Sequence, residues 1–187
     1  SLVANAGSPD QKDRWLAPVI RGEQLLAFAY AEPQSRYDLA NVATTATANG
    51  TGFELSGQKS VVLFAAQANH LIVSARSFGS QSDHDGITLF VVPGDAPGLR
   101  LRPYVTVDGH RAAEVHLDEM MVDADCVLGP TGEAYPVIEE VADIASLSLC
   151  AEAVGCMQVL YENTLEYLKQ REQFGVKLGS FQALQHP

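Results

Sequence analysis

Hydrophobic positions follow two different spacings along this chain of 187 residues. Near the start, apolar residues recur at helical spacing behind Ser8, a candidate N-cap, and Pro9 at the first helical position, which predicts a helix over residues 9–21. From about residue 25 to residue 128, short β-rich runs alternate with turns of Gly, Asp and Pro. Strands at such spacing, without helices between them, predict an antiparallel barrel or sandwich.

The last third of the chain returns to helical spacing, over residues 135–170. Between Asp143 and Glu162 the only formally charged side chain is Glu152. A helix that is apolar around most of its circumference belongs inside a bundle. The ending "REQFGVKLGSFQALQHP" then indicates a helix end, a glycine turn and the opening of another helix. The sequence therefore predicts an α+β fold and a longer protein, of which this chain is a piece.

Composition narrows the classes of function. The formal net charge of −11 argues against nucleic acid and anionic membrane surfaces as partners. The three cysteines form no CxxC pair and the five histidines show no paired metal spacing, so we expect no metal site and a reducing compartment. We expect the histidines to be structural or surface residues. We see no signal peptide or membrane span, and the predicted location is the cytoplasm.

A series of motifs resembles the acyl-CoA dehydrogenase family, in that family's order and across almost the whole chain. The motifs are "GSPDQKDRWL", "AFAYAEP", "GFELSGQKS", "DHDGITLFVVPGDAPGL", "DGHRAAEVHLDEMMV", "VLGPTGEA" and "REQFGVKLGSFQALQH". The last one is the most specific. Through "LCAEAVG" and "SRYDL" the chain also resembles a divergent branch that acts on dicarboxylic or steroid-side-chain acyl-CoAs, often in mixed-subunit assemblies.

The resemblance implies three domains: the end of an N-terminal helical domain (1–24), a middle β-domain (25–128) and the start of a C-terminal helical bundle (129–187). It implies FAD as cofactor and an acyl-CoA as substrate, in the reactions of fatty acid metabolism. A carboxylate removes the α-proton and the β-hydride passes to the flavin. An electron-transfer flavoprotein or similar acceptor, and a homo- or hetero-oligomer, are also implied.

The same resemblance implies residues for the cofactor at the chain's end. Arg171 would bind the FAD pyrophosphate of a neighbouring subunit, Phe174 would lie against that cofactor, and Gln182 would lie nearby. A guanidinium suits this task because its fork matches phosphate oxygens and stays charged. The alternative is that Arg171 only interacts with the helix dipole.

The first flavin loop, "AEPQSRYD", departs from the family's pattern. Ala31 stands where a hydroxyl is usual, and Arg36 and Tyr37 replace a Gly-Ser pair. Backbone groups of Tyr30 and Ala31 would still contact the flavin ring, and Tyr37 would supply a hydroxyl from further away. Arg36 suits a pyrophosphate, a CoA phosphate or a substrate carboxylate. Its alternative role is a surface pair with Asp38.

The second flavin loop follows Lys59 and reads "SVVLFA". Val61 and Leu63 occupy the positions of the family's aromatic and hydroxyl residues. Composition alone favours a buried strand here. Leu63 remains the candidate for contact with the ring, and whether this subunit holds its own flavin stays open.

Glu152 is the candidate base. The resemblance implies a catalytic carboxylate either far downstream, beyond this chain, or near the start of this helix. The early carboxylate is absent, since Ala145 stands at that position, and Glu152 lies two helical turns further on nearly the same face. Burial among uncharged neighbours would raise its pKa, as a base near neutrality requires. Its alternative role is a carboxyl satisfied by backbone or by a bundle arginine. The sequence thus predicts an acyl-CoA dehydrogenase. The alternatives are a non-catalytic partner subunit that donates Arg171 and Phe174, or a flavin oxidase or monooxygenase.

Overall fold

A computed structural model describes residues 1–185 of the chain. The chain divides into two compact units, Ser1–Val141 and Ala142–Pro187, and each is described separately below. Residue 186, one of the five histidines, lies outside the described residues. The predicted domain boundaries at 24/25 and 128/129 stay a prediction.

The N-terminal segment forms consecutive helical turns. Helix α1 is Leu2–Ala6, α2 is Pro9–Gln11, a π-helical turn covers Lys12–Leu16, and α3 is Ala17–Ile20. The predicted N-cap is present: Ser8 Oγ accepts from the Gln11 backbone N–H at 3.2 Å, and the Gln11 side chain accepts from the Ser8 N–H at 3.1 Å. Such a capping box satisfies two otherwise unpaired donors. Trp15 lies in the π-helical turn and is 1% exposed.

The middle of the chain forms one eight-stranded sheet. Its strands are β1 (Leu26–Ala29), β2 (Thr45–Asn49), β3 (Gly52–Leu63), β4 (His70–Arg76), β5 (Ile87–Pro93), β6 (Leu99–Val105), β7 (Arg111–Asp123) and β8 (Val127–Leu128). The order is β6-β7-β3-β2-β4-β5-β8, with β1 paired in parallel to β4. Most other pairs are antiparallel, so the predicted α+β fold with a β middle domain is confirmed.

Two apolar runs that suggest separate strands, "GFELSG" and "KSVVLFA", lie in one long strand, β3. Gly57 lies at the junction of the two runs, where β3 passes close to Thr44. A Cβ at this position would lie 2.7 Å from the Cα of Thr44, so only glycine allows this approach. The pairing of β3 with β7 shifts register twice, between Leu55 and Gly57 and between Lys59 and Val62. The second shift leaves Val61 in a left-handed conformation, with φ of 54°. The second register shift therefore marks the point where the end of β3 changes direction.

Apolar side chains cover both faces of the sheet. One cluster includes Leu55, Val73 and Phe90, and the other places Trp15 and Ile138 against the opposite face. Strands β4 and β5 are buried along nearly their whole length, as expected for central strands covered on both sides.

The second unit consists of most of helix α4 (Tyr135–Gln170), a hairpin of β9 (Glu172–Gln173) and β10 (Val176–Lys177), and helix α5 (Gln182–Gln185). The bounds of α4 are those that the apolar spacing predicts. Its apolar side chains are exposed along this unit, with Leu147 at 72% and Leu160 at 66%. By length and composition alone α4 could cross a membrane, but the same features are typical of a helix packed inside a bundle.

Candidate flavin site

Two loops that the sequence separates lie side by side in the first unit. We call residues 30–38 loop A and residues 59–65 loop B. The Ser60 backbone N–H donates to the carbonyl oxygen of Ala31 at 2.8 Å, and Lys59 Nζ lies 3.5 Å from the carbonyl oxygen of Tyr30. Two consecutive residues of loop B, Lys59 and Ser60, therefore donate to the carbonyl oxygens of two consecutive residues of loop A. The structure thus brings together the two segments in which the sequence predicts flavin contacts.

Loop A is a tight turn in which Ser35 and Asp38 bond to backbone within the turn or just after it. Ser35 bonds to the backbone of Glu32 through its N–H and its hydroxyl, and Asp38 accepts from the Ala40 N–H at 3.0 Å. Arg36 has a left-handed φ of 49°, and Tyr37 is 99% exposed. The alternative pairing of Arg36 with Asp38 is not formed. Within residues 1–185 Arg36 makes no ion pair, so its guanidinium is available to an anion.

Loop B begins with the end of strand β3, so the strand that its composition favours is present, but it is buried only in part. Val61, Leu63 and Phe64 are 55%, 48% and 46% exposed, whereas Lys59, Val62 and Ala65 are buried. Left-handed φ values of 54° at Val61 and 58° at Phe64 turn the chain outward. Loop B therefore presents an apolar surface next to loop A, with no hydroxyl at Leu63.

Below the two loops lies a buried ion pair that sequence reasoning missed. Lys59 Nζ donates to Glu32 Oε1 at 2.6 Å, and the two side chains are 0% and 2% exposed. Burial lowers the pKa of Lys59 to about 8, against the raising effect of Glu32. Burial also opposes ionisation of Glu32, but the charge and hydrogen bond of Lys59, with Thr44 and Gln34 as further donors, hold its pKa below the usual value. The sequence signal for this pair is a lysine at an inward position of β3, because a buried charge requires a partner of opposite charge.

Glu114 on β7 holds the outer side of loop B. Its carboxylate accepts from Ser60 Oγ at 2.7 Å, Tyr104 OH at 3.0 Å and Gln58 Nε2 at 3.3 Å. Partial burial raises the pKa of this carboxyl, but these donors outweigh the effect and keep it low. Glu114 lines a cleft of about 420 Å³ together with Arg102 and Tyr104. Because its acceptors are occupied by protein donors, we assign Glu114 a supporting role.

The second unit presents the three other predicted cofactor residues on its surface. Phe174 and Gly175 form the two-residue turn of the β9–β10 hairpin, with φ values of 55° and 78°. Positive φ at both positions is the geometry of a type I′ turn, which favours Asn-Gly rather than an aromatic residue. Phe174 is nonetheless 92% exposed, and Arg171 at the base of the hairpin forms no ion pair within residues 1–185. Gln182 at the start of α5 is also exposed.

Glu152 lies on α4 in the second unit and is exposed there. The neighbours expected to surround it are exposed as well, with Leu149 at 65%. The burial expected around Glu152 is therefore not formed within residues 1–185, and its role as the base stays a prediction. Among the same residues no group of three or more His, Cys, Asp or Glu could hold a metal ion.

Comparisons with known proteins identify the class. The family model for the acyl-CoA dehydrogenase middle domain matches residues 27–120, and that for the acyl-CoA dehydrogenase C-terminal domain matches residues 135–187. The chain therefore belongs to the acyl-CoA dehydrogenase family. Members of this family are FAD-dependent flavoproteins.

Three similar proteins, each named as an acyl-CoA or butyryl-CoA dehydrogenase, show the extent of the match. A probable acyl-CoA dehydrogenase of Bacillus subtilis, YngJ, is 32% identical over 96% of this chain and 48% of its own length. The acyl-CoA dehydrogenase of Geobacillus kaustophilus superposes with a TM-score of 0.91 at 29% identity, over 98% of this chain and 50% of that one. Butyryl-CoA dehydrogenase of Megasphaera elsdenii gives 0.89 at 27% identity, over 98% and 49%. The chain thus spans about half the length of these relatives.

Residues present in each unit have the chemistry that suits a part of FAD. Arg36 and Arg171 are guanidinium groups without an ion pair within residues 1–185, which suits phosphate oxygens. The exposed surface of loop B, with Leu63 and Phe64, suits the flat face of an aromatic ring system. Ala31 and Leu63 supply no side-chain hydroxyl, so polar contacts of the ring with these two residues would come from the backbone.

Proposed function

We propose that the whole protein is an FAD-dependent acyl-CoA dehydrogenase that introduces a double bond between the α and β carbons of an acyl-CoA thioester. The observation that carries this proposal is the match of both parts of the chain to acyl-CoA dehydrogenase domains, in the expected order and with the expected fold. The adjacency of loops A and B supports it, because both contribute to one surface. The proposed location is the cytoplasm.

In this proposal the chain binds and orients the reactants. Backbone groups of Tyr30 and Ala31 and the side chain of Leu63 contact the flavin ring, while Arg36 with Tyr37 binds phosphate. Bound FAD supplies the two-electron chemistry, by accepting the β-hydride. The exposed Arg171, Phe174 and Gln182 hold the cofactor of a neighbouring subunit, so the functional protein is an oligomer. An electron-transfer flavoprotein or similar acceptor reoxidises the reduced flavin.

Glu152 takes the α-proton onto a carboxylate oxygen in this scheme. We predict that Glu152→Gln in the whole protein abolishes reduction of the flavin by substrate, since an amide does not accept that proton. The matched control is Glu162→Gln on the same helix, which should reduce flavin at the parent rate. Flavin content is measured first in each variant. If Glu152→Gln retains a rate within about tenfold of the parent, another group is the base.

The proposal is tested by purifying the whole protein, measuring flavin per chain and mixing it anaerobically with acyl-CoAs of different length and head group. The expected result is one FAD per chain and loss of the flavin absorbance with at least one thioester. A protein that carries flavin but is reduced by none of them would refute the dehydrogenase. Fast reaction of the reduced flavin with oxygen, without a protein acceptor, would instead favour an oxidase or monooxygenase.

A second candidate is a non-catalytic partner subunit that donates Arg171 and Phe174 to a neighbour's flavin. The observation that favours it is the absence of hydroxyls at Ala31 and Leu63, next to an exposed apolar surface. Flavin stoichiometry separates the two candidates: one FAD per chain supports the enzyme. One FAD per two different chains supports the partner subunit.

A further inference from the structure

We propose that the buried Glu32–Lys59 pair positions loops A and B against each other, and that the two residues are positioning residues of the cofactor site. This inference rests on the proposed function, because it assigns the pair to the site where flavin would bind. Neither residue reaches the surface, as their side chains are 2% and 0% exposed. Any influence on a ligand must therefore pass through the loops.

The hydrogen bonds of the pair join four separate segments. Glu32 accepts from the backbone N–H groups of Ala43 at 2.8 Å and Thr44 at 3.1 Å, and from Gln34 Nε2 at 2.6 Å. Lys59 donates to Ser74 Oγ on β4 at 3.0 Å as well as to Glu32. These hydrogen bonds fix all four segments relative to the ammonium of Lys59 and the carboxylate of Glu32. The pair is the common anchor of loop A, loop B, the segment before β2 and β4.

Stability alone is a poor reason for such a pair. Two buried charges lose much of their hydration, and an apolar pair of similar volume is often at least as stable. The surrounding inward positions are in fact apolar, for example Leu55, Val62 and Val73, each 2% exposed or less. The distinctive property of the pair is directional: it fixes distances and angles that apolar contacts leave free.

Backbone strain follows the pair on both sides. Two residues after Lys59 the chain reaches left-handed Val61, and four residues after Glu32 it reaches left-handed Arg36. Such conformations persist only where the surroundings determine them strongly. Lys59 and Glu32 lie a few residues before these strained positions, where their hydrogen bonds can fix the backbone. Its function is thus to hold the outward course of both loops.

The test uses the whole protein and the double variant Glu32→Gln/Lys59→Met, which removes both charges but keeps one acceptor oxygen at position 32 for either the Ala43 or the Thr44 N–H group. The matched control is Arg100→Met/Asp118→Asn, which likewise replaces a base by Met and an acid by its amide, in a pair of the same sheet that is 72% and 65% exposed. Three quantities are measured in each protein: thermal unfolding, amide hydrogen exchange and flavin retention during dialysis.

We expect the double variant to unfold near the parent temperature while amide exchange in residues 30–38 and 59–65 accelerates by at least about tenfold. Exchange in β5 should not change. Flavin affinity should fall by at least about tenfold, whereas the control should match the parent in all three measurements.

Each outcome decides between this inference and a merely structural pair. Unchanged exchange in both loops, in a folded double variant, would overturn it. Faster exchange with undiminished flavin affinity would also overturn it, because the loops would then be ordered for no cofactor. If the parent itself holds no flavin, the proposed function fails, and the exchange measurement still decides whether the pair positions the loops.

Discussion

Backbone strain at single residues concentrates in the segments that the sequence predicts to bind flavin. Five non-glycine residues have positive φ among residues 1–185, and four of them, Arg36, Val61, Phe64 and Phe174, lie in loops A and B and the β9–β10 hairpin. Each such residue costs conformational energy that an Asn or Gly would largely avoid. Their side chains are also exposed, so packing in the core does not account for them. The strain therefore supports a role for these side chains in binding.

Phe174 allows a direct test of this reasoning. We predict that Phe174→Asn stabilises the β9–β10 hairpin by about 1 kcal/mol, because Asn-Gly is the preferred type I′ pair. The same change should weaken FAD binding by the whole protein, since the exposed ring is lost. Thermal unfolding and flavin titration measure the two effects. Gln173→Thr, one residue earlier, is the control, and equal flavin affinity in Phe174→Asn and the parent would contradict the prediction.

Lys59 makes stability depend on pH in an alkaline window. Its pKa in the folded protein is about 8, below its ordinary value of 10.5, so between these values the folded chain binds fewer protons than the unfolded chain. The free energy of unfolding therefore rises with pH across this window, by up to about 3 kcal/mol from this group. The charged amine disfavours folding below the window, and that penalty disappears as it loses its proton.

The measurement compares the parent with Glu32→Gln/Lys59→Met, which carries neither charge, by chemical denaturation at several pH values from about 7 to about 10. The difference, parent minus variant, should increase with pH. A difference that stays constant would show that Lys59 keeps its ordinary pKa in the folded protein, and a difference that falls would show that folding raises this pKa.

At the scale of elements, regular spacing could be predicted from sequence and long-range pairing could not. Residues 135–170 form the predicted helix because a three-to-four apolar repeat has one regular solution. Strand β3 was harder, because the reason that its two runs join lies in the approach of Thr44 to Gly57. The Glu32–Lys59 pair depends on the same kind of contact. Its partners are distant in sequence, and no local pattern reveals that they meet.

Gly57 of β3 lies against Thr44, whose backbone N–H donates to Glu32 of the buried pair. We predict that Gly57→Ala destabilises the protein by about 2 kcal/mol or more, because the added Cβ would lie 2.7 Å from the Thr44 Cα and the backbone must move. Displacing Thr44 also lengthens its hydrogen bond to Glu32. Chemical denaturation measures the effect, with Thr47→Ala at an exposed position of β2 as control. A Gly57→Ala protein as stable as the parent would show that β2 and β3 separate easily.

At the scale of the whole chain, the apolar surface of α4 dominates the behaviour expected of residues 1–187 alone. Large apolar side chains are exposed along the helix, among them Leu147, Leu160 and Tyr161 at 72%, 66% and 65%. Contiguous apolar surface of this kind promotes association. The site segments could be named from sequence, but the surroundings of Glu152 could not, because no side chain within residues 1–185 covers it.

We therefore predict that the 187-residue chain, made alone, self-associates and binds FAD weakly or not at all. Weak binding is expected because a buried pyrophosphate is costly unless all its donors are present. Analytical ultracentrifugation and the flavin absorbance of the purified chain test this. A yellow monomer with one FAD per chain would contradict both parts.

The π-helical turn near the N-terminus gives the chain a built-in optical probe. Trp15 is the only tryptophan of the 187 residues, it is 1% exposed, and its indole N–H has no hydrogen-bond partner within residues 1–185. An indole shielded from water and without a polar partner emits at the short-wavelength end of its fluorescence range. The Arg14 guanidinium lies 5.2 Å from the ring centroid, so movement of this turn changes the electric field at the ring. Emission from this one residue therefore reports whether the N-terminal turns stay docked on the sheet, without any label.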